Sequence, residues 1–274
     1  MKAIGFVIVL LTGGFLIYAA ADFPGWGDPN SPASLHVSPY YLEETVAQTH
    51  VPNAVTSVVA DYRGYDTMFE TTVIFTAGVV CFFLLRTFLR KEPEDRLYRH
   101  VLTGVTIRVK EGKLPPSEEF ERIDTAWTPH DLIIKTICRF LVPFVQIFAL
   151  YVICFGHYSP GGGFQGGVIL GASIIVYAIS TDLRSELQRI REKTDALLSA
   201  LGVFIYAGTG ALCLLLGFNF LDYHALAPIL FVNRVMARSH GIFIVEVGVG
   251  IAVMGTMIWI YSVLASRGQY DEGL

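Results

Sequence analysis

Five ionisable side chains stand within or at the edge of long apolar stretches, where an unpaired charge is costly. They are Glu70, Lys135, Arg139, His157 and Glu246. A carboxylate in such a place must be neutral, paired or hydrated, and it can pass a proton or replace water around a cation such as Na⁺. An imidazole can carry a proton at physiological pH. The chemistry that these residue types indicate is ion movement through a membrane, and these five residues are the candidates for an ion path.

Each glutamate also has a structural alternative. Glu70 follows Asp61, Arg63 and Asp66, which we predict to form an ion-paired cluster at the outer membrane interface. The alternative is an ordinary charged helix entrance whose side chains reach back to water. Glu246 lies about 8 Å below the outer end of its apolar stretch, at ~1.5 Å per helical residue. There it either belongs to an ion path or pairs with an arginine of the preceding loop.

Lys135 and Arg139 are four residues apart and therefore share one face of a helix. Arg139 is about 10 Å inside its apolar stretch, so it should meet a carboxylate or a carbonyl group. We predict that it contacts a neighbouring protein of a complex, and a direct role in an ion path is the alternative. Pro143 is predicted to kink the same helix.

A glycine-rich segment separates the third and fourth apolar stretches. Glycines at a spacing of four let two helices approach closely, so we predict a tight outer turn followed by a packing face. His157, in the same segment, either faces a water-filled path or is a hydrogen-bonded structural residue. The packing residues of this motif are Gly161, Gly162, Gly163, Gly166 and Gly167.

Six apolar stretches, each long enough to cross a bilayer as a helix, must position these side chains. Of the 274 residues, 53% are hydrophobic and only 16% are charged, which excludes a soluble domain of this size. We therefore predict an all-α integral membrane protein with six transmembrane helices in a 2 + 4 arrangement. The six stretches are Ala3–Ala21, Thr67–Leu85, Leu132–Phe155, Phe164–Thr181, Ala196–Leu221 and Gly241–Leu264.

The loops between these stretches differ sharply in positive charge. Segments 86–131 and 182–195 contain nine and four Lys or Arg residues, whereas segment 22–66 contains one and segment 156–165 none. Because positive loops stay on the cytoplasmic side, both chain ends are predicted to be cytoplasmic. The N-terminal stretch also fits a signal peptide, but its length favours a retained span.

No cofactor, metal centre or catalytic residue is predicted. The four cysteines lie inside the apolar stretches and lack the spacing of metal ligands, and the sequence has no haem, iron–sulfur, zinc or phosphate-loop motif. Whether the chain belongs to an enzyme is left open, because any redox chemistry coupled to it would occur on another protein of the complex. No nucleic-acid partner is predicted.

The chain divides into three parts. Residues 1–91 form a two-helix module with an outer loop, 22–66; residues 92–126 form a cytoplasmic connector; and residues 127–274 form a four-helix module. The glutamate–proline pair at positions 92 and 93 ends the second apolar helix.

Three local elements are predicted outside the spans. Ser38-Pro39 is a helix start, Val55–Ala60 is a strand or an extended segment, and Glu94–Leu102 is an amphipathic surface helix.

Two motifs resemble a known family of membrane proteins. The run Asp-Tyr-Arg-Gly-Tyr-Asp-Thr at 61–67, followed by Glu70, resembles the C-terminal two-helix part of the large A subunit of Mrp-type multisubunit cation/proton antiporters. In membrane-bound hydrogenases the equivalent part is a small separate protein, the E subunit. Arg-Phe-Leu-Val-Pro at 139–143 and the glycine-rich motif at 156–167 resemble the B subunit of these antiporters, the MnhB/MrpB family, with its four-helix fold. At the position of Glu246 the MnhB/MrpB pattern has an acidic residue, usually Asp.

The resemblance implies a fusion of two adjacent antiporter subunits. The expected function is that of a non-catalytic membrane subunit in a complex that exchanges Na⁺ for H⁺, either alone or driven by an attached hydrogenase or formate dehydrogenase arm. The implied partners are other antiporter-module membrane subunits, the lipid bilayer and, in the driven version, peripheral hydrogenase or dehydrogenase subunits. The expected location is the cytoplasmic (inner) membrane of a prokaryote. A structural anchor for a peripheral redox enzyme and a self-sufficient secondary transporter are the alternatives.

Overall fold

Six helices of the computed structural model are long and apolar enough to cross a membrane, in agreement with the sequence prediction. The model describes residues 2–88, 96–109, 114, 117–123, 132–181 and 192–266. The six long helices are α1 (Lys2–Ala20), α4 (Gly64–Phe88), α5 (Leu132–Cys154), α6 (Gly163–Thr181), α7 (Glu192–Leu215) and α9 (Arg234–Ala265). Three shorter helices lie outside the spans, namely α2 (Ser38–Thr49), α3 (Ala54–Ser57) and α8 (Ala227–Leu230).

Helix α9 is the central element of the bundle and packs against α4, α6 and α7. Its backbone approaches that of α6 so closely that a Cβ added at Gly163 would lie 1.8 Å from the Glu246 carbonyl oxygen. One turn further, a Cβ at Gly167 would lie 2.6 Å from the carbonyl oxygen of Gly250. Contacts of this kind require glycine, and they fix α6 in register against α9.

Two helix boundaries differ from the prediction by six residues or more. Helix α7 ends at Leu215 because Gly217 adopts a positive φ of 83°, and the backbone N–H groups of Phe218 and Gly217 bond back to the carbonyls of Cys213 and Leu214. Helix α9 begins at Arg234 rather than at Gly241.

The early start of α9 has a local cause. The Asn233 side chain caps the helix by accepting a hydrogen bond from the Met236 N–H at 2.8 Å. Glu246 is consequently about 18 Å from the start of its helix, at ~1.5 Å per residue.

Segment 22–66, the predicted outer loop, is largely helical. A π-helical turn (Ala33–Val37) leads into α2, which begins at Ser38 as predicted, with a proline in its first turn. The prediction of a strand or extended segment over Val55–Ala60 is wrong, because α3 and a second π-helical turn (Val58–Tyr62) cover it. Asn53 starts this helical run by accepting a hydrogen bond from the Val55 N–H.

The connector contains a small antiparallel sheet, so the all-α prediction and the predicted surface helix over 94–102 are wrong there. Strands β1 (Arg96–His100), β2 (Thr106–Val109) and β3 (Phe120–Ile123) lie in the order β2-β1-β3. A turn at Gly104, with φ of 69°, joins the first two strands. Buried Tyr98 accepts a hydrogen bond from the Leu114 N–H through its hydroxyl group. Residues 92–95, 110–113, 115–116 and 124–126 of the connector lie outside the described residues.

Helix α1 stands apart from this bundle. Its apolar window buries none of its residues against the rest of the described chain. Helix α5 continues through Pro143, and it contacts the bundle through α6 and, more weakly, α9.

Candidate ion site at the glycine-rich loop

The buried carboxylate of Glu246 lies against the glycine-rich loop that joins α5 to α6. Glu246 is 6% exposed, and its carboxylate accepts a hydrogen bond from the backbone N–H of Gly163, the first residue of α6. A helix N-terminus carries partial positive charge and therefore stabilises an anion at this place. Gly156 and Gly162 complete the cradle, because a Cβ added there would lie 3.0 Å and 2.7 Å from the carboxylate oxygens.

His157 is the titratable neighbour of this carboxylate. The ring is buried, and its Nε2 lies 3.0 Å from the carbonyl oxygen of Ser239 on α9. Its Nδ1 lies 3.9 Å from Oε2 of Glu246, beyond hydrogen-bond distance. Burial lowers the pKa of His157 below its usual value, so the ring is neutral near pH 7. The structure thus brings together two sequence candidates that are far apart along the chain.

Asn53 and Thr56, from the predicted outer loop (the outer region, 22–66), hold the loop that carries His157. The Asn53 amide nitrogen donates to the carbonyl oxygens of Gly156 at 2.8 Å and Ser159 at 2.9 Å, and the Asn53 backbone N–H donates to the His157 carbonyl at 2.9 Å. The Thr56 hydroxyl also donates to the Gly156 carbonyl, at 2.8 Å. Neither residue is predicted as a site residue from the sequence, although an asparagine ahead of a helical segment is a recognisable cap signal.

The structure divides the predicted outer cluster into two separate pairs. Asp61 pairs with Arg238 of α9 at 2.5 Å between Oδ2 and Nε, and both side chains are largely buried, at 6% and 17% exposure. Arg63 and Asp66 pair with each other and are exposed. Burial raises the pKa of Asp61 above its usual value, although the Arg238 guanidinium opposes that shift.

Neither arginine of the loop that precedes the sequence-predicted sixth span pairs with Glu246 among the described residues. Arg238 forms its ion pair with Asp61, and Arg234 is exposed at the start of α9. The predicted alternative for Glu246, a pair with one of these arginines, is therefore not what the structure shows.

The remaining three candidates face outward. Glu70 is exposed on α4, and the structure shows no contact between it and Glu246 among the described residues. Lys135 and Arg139 are exposed on the part of α5 that is farthest from the glycine-rich loop. Within the described residues neither basic side chain makes a hydrogen bond or an ion pair. No group of three or more His, Cys, Asp or Glu residues that suits a metal ion occurs in the described part of the chain.

Two family models match successive parts of the chain. Residues 28–97 match MbhE, the model for the E subunit of MBH, and residues 133–259 match a domain related to the MnhB subunit of Na⁺/H⁺ antiporters. The two matched parts are named after these models, the MbhE region (28–97) and the MnhB domain (133–259).

Curated relatives agree with both parts. An uncharacterized protein of Methanocaldococcus jannaschii is 28% identical over 65% of this chain and 63% of its own length. A probable K⁺/H⁺ antiporter A/B subunit of Rhizobium meliloti is 25% identical over 84% of this chain, which spans only 22% of that protein. The B subunit of the Na⁺/H⁺ antiporter of Bacillus subtilis is 25% identical over 47% of this chain and 93% of its own length.

Two solved membrane complexes share the fold. The Mrp complex from Dietzia sp. has a chain that matches 99% of this chain with a TM-score of 0.59, at 22% identity, and the match covers 27% of that longer chain. The archaeal membrane-bound sulfane sulfur reductase has a chain that matches 94% of this chain over 97% of its own length, with a TM-score of 0.55 at 24% identity. The chain is thus a multi-pass membrane protein with the fold of subunits from multisubunit membrane complexes.

The candidate site lies where the two matched regions meet. Asn53, Thr56 and Asp61 belong to the MbhE region, whereas His157, Glu246 and their glycine cradle belong to the MnhB domain. Two tyrosine hydroxyls of the MnhB domain reinforce this junction, since those of Tyr206 and Tyr223 donate to the carbonyl oxygens of Gly64 and Ala60 at 2.9 Å.

Proposed function

We propose that this chain is a non-catalytic membrane subunit of a multisubunit complex that exchanges Na⁺ for H⁺. The observation that carries the proposal is the buried Glu246 beside His157, since an intramembrane carboxylate next to an imidazole suits ion transfer better than packing. The names of two curated relatives, a probable K⁺/H⁺ antiporter subunit and a Na⁺/H⁺ antiporter subunit, support the exchange of a monovalent cation for H⁺. The match to the MbhE family supports a version driven by an attached redox arm.

The proposed membrane arrangement follows from the loop charges. Both chain ends lie in the cytoplasm of a prokaryote, and the glycine-rich loop with the outer region lies on the opposite side of the cytoplasmic membrane. The two-helix module spans 1–91 and the four-helix module spans 127–274, joined by the connector at 92–126.

Exposed groups on two helices indicate where partner subunits bind. Helix α1 is apolar and uncovered, and Arg139 on α5 is an exposed charge about 10 Å from the start of its helix. A charged group at that depth is stabilised by a carboxylate or by carbonyl groups. A neighbouring membrane protein of the complex supplies such a group and at the same time covers the apolar surface.

The test is a Glu246→Gln variant of the complete complex, reconstituted into vesicles. We expect the complex to assemble and Na⁺-dependent proton exchange to fall at least about tenfold, because the amide cannot take up a proton. Glu43→Gln, which neutralises an exposed outer glutamate, is the matched control and should leave exchange unchanged. Glu70→Gln tests the second glutamate that the sequence indicated.

Normal assembly with full exchange in the Glu246→Gln variant would instead remove Glu246 from the mechanism and leave it a structural residue. The self-sufficient transporter makes a different prediction, namely Na⁺/H⁺ exchange by vesicles that contain this chain alone. Proton exchange that stops when the electron donor of the complex is withdrawn identifies the redox-driven version.

A further inference from the structure

The atoms of Glu246 and His157 that face each other are both hydrogen-bond acceptors. Nε2 of His157 lies at the Ser239 carbonyl oxygen, which accepts hydrogen bonds only, so Nε2 carries the ring hydrogen. Nδ1 of the neutral ring is then an acceptor, and it lies 3.9 Å from Oε2 of Glu246. Oε2 is buried and has no hydrogen-bond partner among the described residues. A buried acceptor without a donor is costly, and a single proton between the two groups supplies that donor.

We propose that the Glu246–His157 pair binds one proton and excludes Na⁺, so that it serves the proton side of the exchange. The proton resides on Glu246 as a carboxyl O–H that donates to Nδ1, after a small approach of the two side chains. The assignment of this proton to an exchange reaction rests on the proposed function, whereas the protonation of the pair does not.

The surroundings of the carboxylate disfavour a metal cation. The backbone group nearest to the carboxylate is the N–H of Gly163 at the positive end of α6, whereas transporters bind Na⁺ with carbonyl oxygens and helix C-termini. The backbones of Gly156 and Gly162 lie so close that even a methyl group would crowd the carboxylate. The Gly163 N–H and the close glycine backbones therefore favour a proton over a metal cation at this carboxylate.

The carbonyl oxygens of the glycine-rich loop accept hydrogen bonds from the outer region. The carbonyls of Gly156, His157 and Ser159 all accept hydrogen bonds from Asn53 or Thr56 of the outer region. Because these hydrogen bonds hold them, the outer region keeps the site in its proton-binding form.

Other titratable groups near the pair do not provide the missing donor. Arg238 on α9 pairs with Asp61. His240 on α9, Tyr206 on α7 and Glu70 on α4 do not hydrogen-bond Oε2 of Glu246.

The test is infrared spectroscopy of the purified complex during a pH titration. The wild-type complex should show the carbonyl band of a protonated carboxyl group that disappears as pH rises. Glu246→Gln should remove the band and Glu43→Gln should leave it. His157→Gln should move its midpoint to lower pH by about one unit or more, because the glutamine amide donates to the carboxylate where the ring accepts.

The same titration with added Na⁺ distinguishes a site that binds only a proton from a site that also binds Na⁺. At fixed pH, sodium chloride should leave the band unchanged relative to choline chloride, whereas a band that declines saturably with Na⁺ would show a cation site. Absence of a pH-dependent band from Glu246 in the wild-type complex would also overturn the proposal, and this measurement does not depend on a variant that folds. A normal band in a complex without Na⁺/H⁺ exchange would refute the proposed function alone, and exchange without the band would refute the proton site alone.

Discussion

Removal of one charge from the Asp61–Arg238 pair should destabilise the chain strongly. The Asp61→Asn variant leaves a guanidinium that is only 17% exposed without its carboxylate. Loss of one partner from a buried, hydrogen-bonded ion pair costs ~3–5 kcal/mol. The ring of Tyr62, 5.2 Å from the guanidinium carbon, keeps part of the stabilisation of Arg238. We therefore expect a loss of about 3 kcal/mol, at the lower end of that range.

The neighbouring pair gives a matched control for this prediction. Asp66→Asn makes the same chemical change on the adjacent segment, but Asp66 and Arg63 are 51% and 62% exposed. Exposed ion pairs contribute only ~0–1 kcal/mol. At ~2–4 °C per kcal/mol, the expected fall in melting temperature is ~6–12 °C for Asp61→Asn and at most ~4 °C for Asp66→Asn.

The assay is thermal unfolding of the purified complex, followed by tryptophan fluorescence in one detergent for all variants. A double variant, Asp61→Asn with Arg238→Gln, should recover part of the loss, because no buried charge is then left without a partner. Equal melting temperatures for Asp61→Asn and Asp66→Asn would refute the reasoning, since burial is the feature that distinguishes the two pairs.

Two further predictions test the packing and the histidine. Gly163→Ala should abolish recovery of folded complex on size-exclusion chromatography, because its Cβ would collide with the Glu246 carbonyl, whereas Gly25→Ala, with no atom within 4 Å, should be recovered normally. His157 is buried as the neutral ring with a pKa below its usual value, so the unfolded chain takes up the proton first and stability falls as pH drops below about 6.5. His157→Gln should reduce this pH dependence by at most ~1.4 kcal/mol per pH unit, measured from melting temperatures between about pH 5 and 7.5; an unchanged pH dependence contradicts the assignment.

The six spans could be predicted because they depend on a long-range average of the sequence. About 20 consecutive apolar residues have few alternatives to a membrane helix, and no tertiary contact is needed to recognise them. The ends of α7 and α9 depend instead on single residues, Gly217 and Asn233, whose cap interactions outweigh the hydropathy of their neighbours. Both are conventional helix signals that an average over a window conceals.

The sheet in the connector could not be recognised from a local pattern. Strand β1 has charged residues on both sides of its central Leu97-Tyr98 pair, which fits an amphipathic helix as well as a strand. Its two partners, β2 and β3, lie further along the chain, and pairing with them decides the structure. The β-branched residues of β2 are the signal that favours a strand.

The sequence indicates the titratable residues of the candidate site and the glycines of its loop, but not how they are arranged. Glu246 and His157 are conspicuous because a charge or an imidazole is rare near the membrane interior. Their proximity is not predictable, because it depends on how closely α6 approaches α9. The partners of Asp61 and Arg63 were assigned by sequence proximity, but Arg238, 177 residues away, reaches Asp61 because α9 begins earlier than its hydropathy indicates.

Asn53 carries a helix-cap signal in the sequence, but that signal does not indicate its contacts with the glycine-rich loop. Its importance comes from the three hydrogen bonds that it donates to the loop beside Glu246, across the boundary between the MbhE region and the MnhB domain. A separate MnhB domain would leave the carbonyls of Gly156, His157 and Ser159 without these donors. In this chain the MbhE region is therefore part of the scaffold of the site, and covalent connection of the two regions keeps the donors at a high effective concentration beside their acceptors.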